Sequence, residues 1–165
     1  MPKRLIRLLA TALAVAAALA FPAEAASPLS ITTTIEKEVV VRDANGGAKA
    51  TTRVPADKVV PGETVVFTYN LTNAGALPTE NVVLVAPIPP ETTYVDKSAA
   101  AAQAALTFSI DKAKSFAAPE KLQVVGADGK RRRAGPADYT HLRWQLTAPL
   151  AGGATKLVSF RAVLK

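Results

Sequence analysis

The run Val60-Pro61-Gly62-Glu63-Thr64-Val65-Val66-Phe67-Thr68-Tyr69-Asn70-Leu71-Thr72-Asn73-Ala74-Gly75 constrains the fold more than any other part of the chain. A Pro-Gly pair opens it and Asn-Ala-Gly closes it, and both are turn chemistry. Between them Val65, Phe67, Tyr69 and Leu71 alternate with polar side chains. A period of two puts these four on one face of a strand. The pattern predicts a β-strand buried on one side, and further turn signals follow at intervals of about ten residues, the spacing of an all-β sandwich.

Residues 1–25 read as an address. Lys3, Arg4 and Arg7 make a basic start, and Leu8 to Phe21 is apolar apart from one threonine. Pro22 ends that run, and Ala23 and Ala25 supply the small residues of a cleavage site, with cleavage after Ala26 as the variant. This order is that of a secretory signal peptide. An apolar run of this length falls short of the roughly 20 residues a spanning helix needs. Export with cleavage leaves residues 26–165 as one domain. The expected product lies in a periplasm or at the cell surface, with no membrane segment after cleavage. There is no cysteine, so disulfides and thiolate chemistry are out. The net charge is +7, and about +5 without the leader's three basic residues and one acidic residue.

Along the remaining chain, Ile31, Thr33, Ile35, Lys37, Val39 and Val41 share one face of a long first strand, with Glu36, Glu38 and Arg42 on the other. Lys37 breaks the apolar face and suggests a bulge or an exposed end; Glu36 and Glu38 are expected to face water. Asn45-Gly46-Gly47 predicts a hairpin turn. Lys49 to Val60 returns as a second strand, and Pro55 places it at a sheet edge. Asn81 to Ile88 is a continuous apolar run, expected to be covered on both faces or packed at a contact surface. Thr92 to Val95 predicts a short strand. Ser98 to Ala105 is alanine-rich and predicts two helical turns capped by Ser98.

Leu106, Phe108 and Ile110 begin another hairpin. Its turn, Ser109-Ile110-Asp111-Lys112-Ala113-Lys114-Ser115-Phe116, resembles an Asp-box with Ala113 in place of glycine, Ser115 of threonine and Phe116 of tryptophan. Asp111 is expected to cap backbone N–H groups there. Glu120 to Val125 and the residues from Lys130 onward predict a further hairpin around Ala127-Asp128-Gly129-Lys130. Leu142, Trp144 and Leu146 face inward in the penultimate strand. Val158, Phe160, Ala162 and Leu164 do so in the last.

The Val60–Gly75 run, then Pro78-Thr79-Glu80-Asn81-Val82-Val83-Leu84 and Pro89-Pro90-Glu91-Thr92-Thr93-Tyr94-Val95, together resemble the conserved-repeat domain of bacterial surface proteins, catalogued as domain of unknown function eleven. Trp144 matches that family's tryptophan strand. Leu150-Ala151-Gly152-Gly153-Ala154 stands at its Leu-x-Pro-Gly turn, with Gly152 replacing the usual proline. The likeness covers Val59 to Lys165. It implies an immunoglobulin-like sandwich of about seven to nine antiparallel strands on an envelope or surface protein. Tandem copies and a wall or membrane anchor, common in the family, are not seen here.

Chemistry-bearing residues are sparse. His141 is the one histidine and falls opposite Leu142 and Trp144, toward solvent beside Arg143, with no serine or cysteine motif nearby. The acidic residues are dispersed, so no metal set is expected. Catalytic residues, cofactors and enzymatic activity are therefore not predicted. Asn70-Leu71-Thr72 fits a glycosylation sequon inside a strand and is taken as chance. Lys130-Arg131-Arg132-Arg133 is the one charge cluster. It is either a solvated hairpin end or a contact for an anionic envelope polymer, lipid headgroup or acidic protein. Export and the lack of interleaved aromatics argue against nucleic acid. Two functions follow. The first is an exported structural or assembly module that contacts other envelope or surface proteins or itself. The second is a monomeric binding module that takes an acidic ligand at Lys130–Arg133.

Overall fold

A computed structural model describes residues 28–42, 47–101 and 103–165. The leader with Ala23 and Ala25, and the Asn45-Gly46 part of the first turn, lie outside the described residues. The chain is all-β: β1 (Leu29–Arg42), β2 (Ala48–Pro55), β3 (Thr64–Asn73), β4 (Val83–Pro87), β5 (Thr92–Tyr94), β6 (Ala104–Ser109), β7 (Gln123–Val125), β8 (Arg131–Arg133), β9 (His141–Leu146) and β10 (Thr155–Leu164). Two single 3₁₀ turns, Pro119–Lys121 and Pro136–Asp138, complete it. The ten strands among the described residues exceed the expected seven to nine because β7 and β8 form a separate two-stranded ribbon.

One sheet has the order β2-β1-β3-β10-β5 and the other β4-β9-β6, with every pairing antiparallel. The layers pack through their inner faces in a sandwich-like arrangement. β3 is central because its alternation is clean: Val65, Phe67, Tyr69 and Leu71 are buried, as expected. Phe67 sits opposite Phe160 of β10 and their rings stack at 4.8 Å. Trp144 of β9 closes the core from the other layer, 6.3 Å from both Tyr69 and Phe160. At 1% exposure it is core, as its alternation with Leu142 and Leu146 predicts. Full burial of side chains this size contributes about 2–3 kcal/mol each.

The closing turn of β3 is tied down by Asn73, which is fully buried. Its amide donates to the carbonyls of Leu77 (2.8 Å) and Leu150 (2.9 Å), and its Oδ1 accepts the Gly75 N–H at 3.0 Å. Two loops are thereby stitched to one strand end. Gly152 completes the joint: a Cβ there would lie 2.4 Å from the Ala76 carbonyl oxygen. Close backbone approach accounts for glycine at the position where the resembled family has proline.

Several expectations are corrected. Ser98 to Ala105 is not helical among its described residues. Ala100 bridges Ser159 of β10, and the Ser98 hydroxyl hydrogen-bonds the Arg161 backbone, so sheet pairing outweighs alanine's helix propensity. Of the two alternatives for Asn81–Ile88, cover on both faces is overturned, since Leu84 and Ala86 are buried while Val83 and Val85 are exposed. Lys37 marks no bulge, since its Nζ pairs with Glu63 at 3.1 Å and the one register shift of β1 falls at Val41/Arg42. Glu38 does not simply face water. It is half-buried and lies 3.6 Å from Arg161. β2 does occupy the sheet edge, with Pro55 at its end.

The apolar face of β1 holds the largest departure. Cross-strand register puts Ile35 opposite Phe67 and Ile31 opposite Leu71, so these isoleucines are on the core side of the sheet. Yet Ile31, Ile35, Val39 and Val41 are 49, 48, 36 and 42% exposed. The second layer ends too soon to cover them. β6 lies over the β5 side, because Phe108 meets Tyr94 at 5.3 Å, and β9 lies over β10 and β3. β4 is therefore the last strand above β3, so Ile31 and Ile35 overhang to its side. Val39 and Val41 run on with β2 past the Thr64 end of β3, because β1 pairs β3 only as far as Lys37 and β2 only from Glu36.

Candidate functional site

The basic cluster sits on the β7–β8 ribbon. Gln123, Val124 and Val125 pair with Arg133, Arg132 and Arg131. The turn between them closes through Gly126 N–H to Lys130 O (2.8 Å) and Lys130 N–H to Asp128 Oδ1 (3.1 Å), with Gly129 at φ 74°. Alternation then separates the arginines, Arg131 and Arg133 to one face and Arg132 to the other.

Arg132 forms a two-pronged pair with Asp138, at 2.7 and 2.8 Å. The same carboxylate accepts the Gly135 N–H at 2.8 Å and so fixes the turn before β9. The Arg132 guanidinium holds the Asp138 carboxyl below its usual range. Arg133 reaches the Pro119 carbonyl at 3.4 Å. It also lines a cleft of about 460 Å³ with Asp96, Lys97 and Glu120. Of the four cluster residues, Lys130 and Arg131 have no side-chain partner among the described residues. The four cations do not converge: one is neutralised, one is tied to backbone, and two point to solvent. Asp138, six residues from Arg132, is the partner that sequence reasoning missed. Carboxylates just beyond a charge run are the signal that could have found it.

The Asp-box turn is built as its sequence predicts. Asp111 Oδ1 accepts the Ser109 hydroxyl (2.7 Å) and the Ser115 N–H (3.0 Å), and Oδ2 accepts the Ser115 hydroxyl. The hydrogen bonds from Ser115 and Ser109 hold the Asp111 carboxyl well below the usual carboxylate range. Ser109 Oγ in turn accepts the Ala113 N–H at 2.9 Å. Phe108 and Ala117 close the loop with paired backbone bonds, and Arg143 lies 4.7 Å over the Phe116 ring. Asp111 is thus saturated by turn contacts and has a folding role.

His141 is half-buried, with Nδ1 3.2 Å from the Thr140 hydroxyl. It borders a cavity of about 390 Å³ floored by Ile88 and Tyr139 and rimmed by Lys112 and Lys165. The Thr140 hydroxyl itself donates to the Ser109 carbonyl at 3.1 Å, and no carboxylate of the described residues is hydrogen-bonded to the ring. Among the described residues no group of three or more His, Cys, Asp or Glu could hold a metal ion. No described helix is long and apolar enough to cross a membrane.

The most unusual surface is the overhang itself. Ile31, Ile35, Val39 and Val41 share the inner face of β1, and by register Thr52 and Ala50 of β2 lie beside Val39 and Val41. That face's one charged residue, Lys37, is compensated by Glu63, whose carboxyl is lowered by the Val60 N–H and by Lys37. β4 is the edge strand of the facing sheet. Singly exposed apolar residues need no explanation, but here four share one sheet face, interrupted by Thr33 and by the Lys37–Glu63 pair. Known proteins offer no guide here: no family model, curated protein or solved structure matches the chain.

Proposed function

We propose that this chain is an exported, non-enzymatic module of the envelope or cell surface that works by protein–protein contact. Its sandwich is of the immunoglobulin-like kind implied by the likeness to conserved-repeat domains. The observation that carries the reading is the uncovered apolar face of β1 beside the open edge of β4. Burying such a face contributes about 25 cal/mol per Å², and sheet edges accept another chain's strand through backbone hydrogen bonds. The order of the first 25 residues supports export. The dispersal of titratable groups supports a role without catalysis. The acidic-ligand reading has less support, because Asp138 already neutralises Arg132 and the remaining cations diverge.

A photoreactive amino acid at Ile35 tests the proposal in cells, with one at Arg131 for comparison. Adducts from Ile35 in the exported fraction are the expected result. Adducts from Arg131 alone would favour the acidic-ligand reading. A chain that stays with cytoplasmic markers, or yields no adduct from either site, would end the assembly reading.

A further inference from the structure

One cavity holds chemistry that assembly through β1 does not use. It lies where the Asp-box turn and the 3₁₀ turn Pro136–Asp138 meet the segment between β4 and β5, and it measures about 390 Å³. That is within the range of sites for small organic ligands, which are mainly apolar with a few placed polar groups. We propose that this cavity binds a small organic acid, an apolar body with one carboxylate, whose charge is met by Lys112. Such binding is independent of the β1 contact and leaves the assembly reading untouched.

The floor and one wall are apolar. Ile88 and Tyr139 are buried at the base, and Pro87, Pro89 and Pro90 form the wall. Proline fixes φ and carries no N–H, so this wall is stiff and offers few groups that could compete for a ligand. The apolar body of a ligand gains by leaving water for such a surface.

Charge in the cavity is one-sided. Lys112, Lys165 and a single carboxylate side chain, Asp138, line it. Asp138 is already engaged. Its two oxygens accept from Arg132 at 2.7 and 2.8 Å, and one of them also accepts the Gly135 N–H at 2.8 Å. Lys165 Nζ donates to the Pro90 carbonyl at 2.8 Å. Among the described residues no carboxylate side chain lies within ion-pair distance of Lys112. An incoming anion therefore meets an uncompensated ammonium, and no unpaired carboxylate side chain of the lining repels it.

The backbone beneath Lys112 is held in an unusual state. Lys112 and Ala113 have φ of 60° and 65°. Residues with a Cβ seldom adopt this left-handed conformation, and two in succession are rarer still. Such conformations persist where the surroundings fix them, and they cluster at functional sites. The fixing contacts are specific. The Lys112 N–H donates to Thr140 Oγ1 at 3.1 Å, and that hydroxyl donates to the Ser109 carbonyl, also at 3.1 Å. The Ala113 N–H donates to Ser109 Oγ at 2.9 Å. The turn is thus pinned to the residue before β9, which keeps Lys112 at the cavity rim. His141, on the same hydroxyl through Nδ1 at 3.2 Å, is held at the rim as well.

Arg132 gains a second consequence from its pair. It does not line the cavity. By holding Asp138 it keeps that charge from opposing a bound anion. Arg132 is therefore a positioning residue: the basic ribbon aids anion binding without touching the anion.

The test uses the full chain expressed in cells and purified, with 3-phenylpropionate as the probe and 3-phenylpropanamide as its uncharged match. In a nuclear magnetic resonance titration the acid should shift the amides of Ile88, Lys112, Tyr139 and Thr140 and saturate. With about a dozen non-hydrogen atoms, its dissociation constant should be about 1 mM or lower. The amide should bind at least about 10-fold more weakly. Lys112→Asn removes the charge at a position where asparagine tolerates the backbone. It should weaken the acid about 10-fold, leave the amide unchanged, and keep the urea midpoint. Arg132→Gln should weaken the acid about threefold and the amide not at all, a split that a merely structural role would not produce. Ala137→Leu, at an exposed lining position, should weaken both probes. No saturable shift at the cavity, equal affinity for acid and amide, or an acid indifferent to Lys112→Asn would overturn the proposal. Shifts confined to Lys130–Arg133 would also overturn it, by placing the anion on the ribbon instead.

Discussion

Asn73→Ala should be among the most damaging single changes outside the aromatic core. The side chain is fully buried and makes three hydrogen bonds, two donated to Leu77 and Leu150 and one accepted from Gly75. Each bond contributes about 1 kcal/mol net, and a buried group left unpaired costs about 1–3 kcal/mol. Alanine leaves the Leu150 carbonyl with the Thr79 N–H alone, at 2.9 Å, while the Leu77 carbonyl and the Gly75 N–H lie nearer the surface and partly rehydrate. The three lost bonds sum to about 3 kcal/mol. For a domain of this size that corresponds to a melting shift on the order of 10 °C. Urea unfolding followed by Trp144 fluorescence measures it directly, with the slope of the transition checking that the unfolded state is unchanged. Asn73→Asp keeps the acceptor and loses the donors, so it should be at least as damaging as alanine. A loss below about 1 kcal/mol for alanine would show that the two loops hold without the amide, and the account of the β3 turn would be wrong.

Two further outcomes follow from the Asp-box turn. Ala113 has φ 65°, a left-handed conformation that costs a residue with Cβ about 1 kcal/mol. Ala113→Gly should therefore raise stability by up to about 1 kcal/mol, read as a higher urea midpoint; a lower midpoint would mean that the methyl packing matters more than the backbone. The folded pKa values of Asp111, Asp138 and Glu63 are all depressed. Their contribution is thus complete at neutral pH, above the unfolded carboxylate values near 4, and is lost as pH falls through the folded values. Stability should drop between pH 5 and pH 2, and Asp111→Asn should flatten that drop; an unchanged acid profile in the variant would contradict the assignment.

Much of the architecture was legible from local pattern. The alternation of Val65 to Leu71 placed β3, Pro55 placed β2 at an edge, and Ser109 to Phe116 gave the turn that Asp111 organises. Misreadings arose where the answer depends on what lies across space. The apolar face of β1 carries the pattern of a buried strand, and nothing in its own residues says that the opposite sheet stops at β4. The Asn81–Ile88 run carries valine on both faces for the same reason. Alanine-rich Ser98–Ala105 favours a helix locally, but Ala100 and Ser98 find partners on β10, some 60 residues away. The basic cluster was legible as charge, while its partial neutralisation depended on the turn that brings Asp138 back to Arg132.

The position of β10 has a consequence for how the chain acquires its shape. Thr155–Leu164 inserts between β3 and β5, and it supplies Phe160 and Val158 to the core. Its partners on β3 lie about 90 residues earlier, so the central pairing is among the most distant in the chain. Such closure is slow, because a long loop must be ordered before any contact rewards it. A chain emerging from its N-terminal end holds β1 and β3 with one edge unsatisfied until the last strand arrives. Its sandwich can close only after Thr155 onward has been delivered, and under the export proposed above that delay would keep the chain unfolded while it is moved.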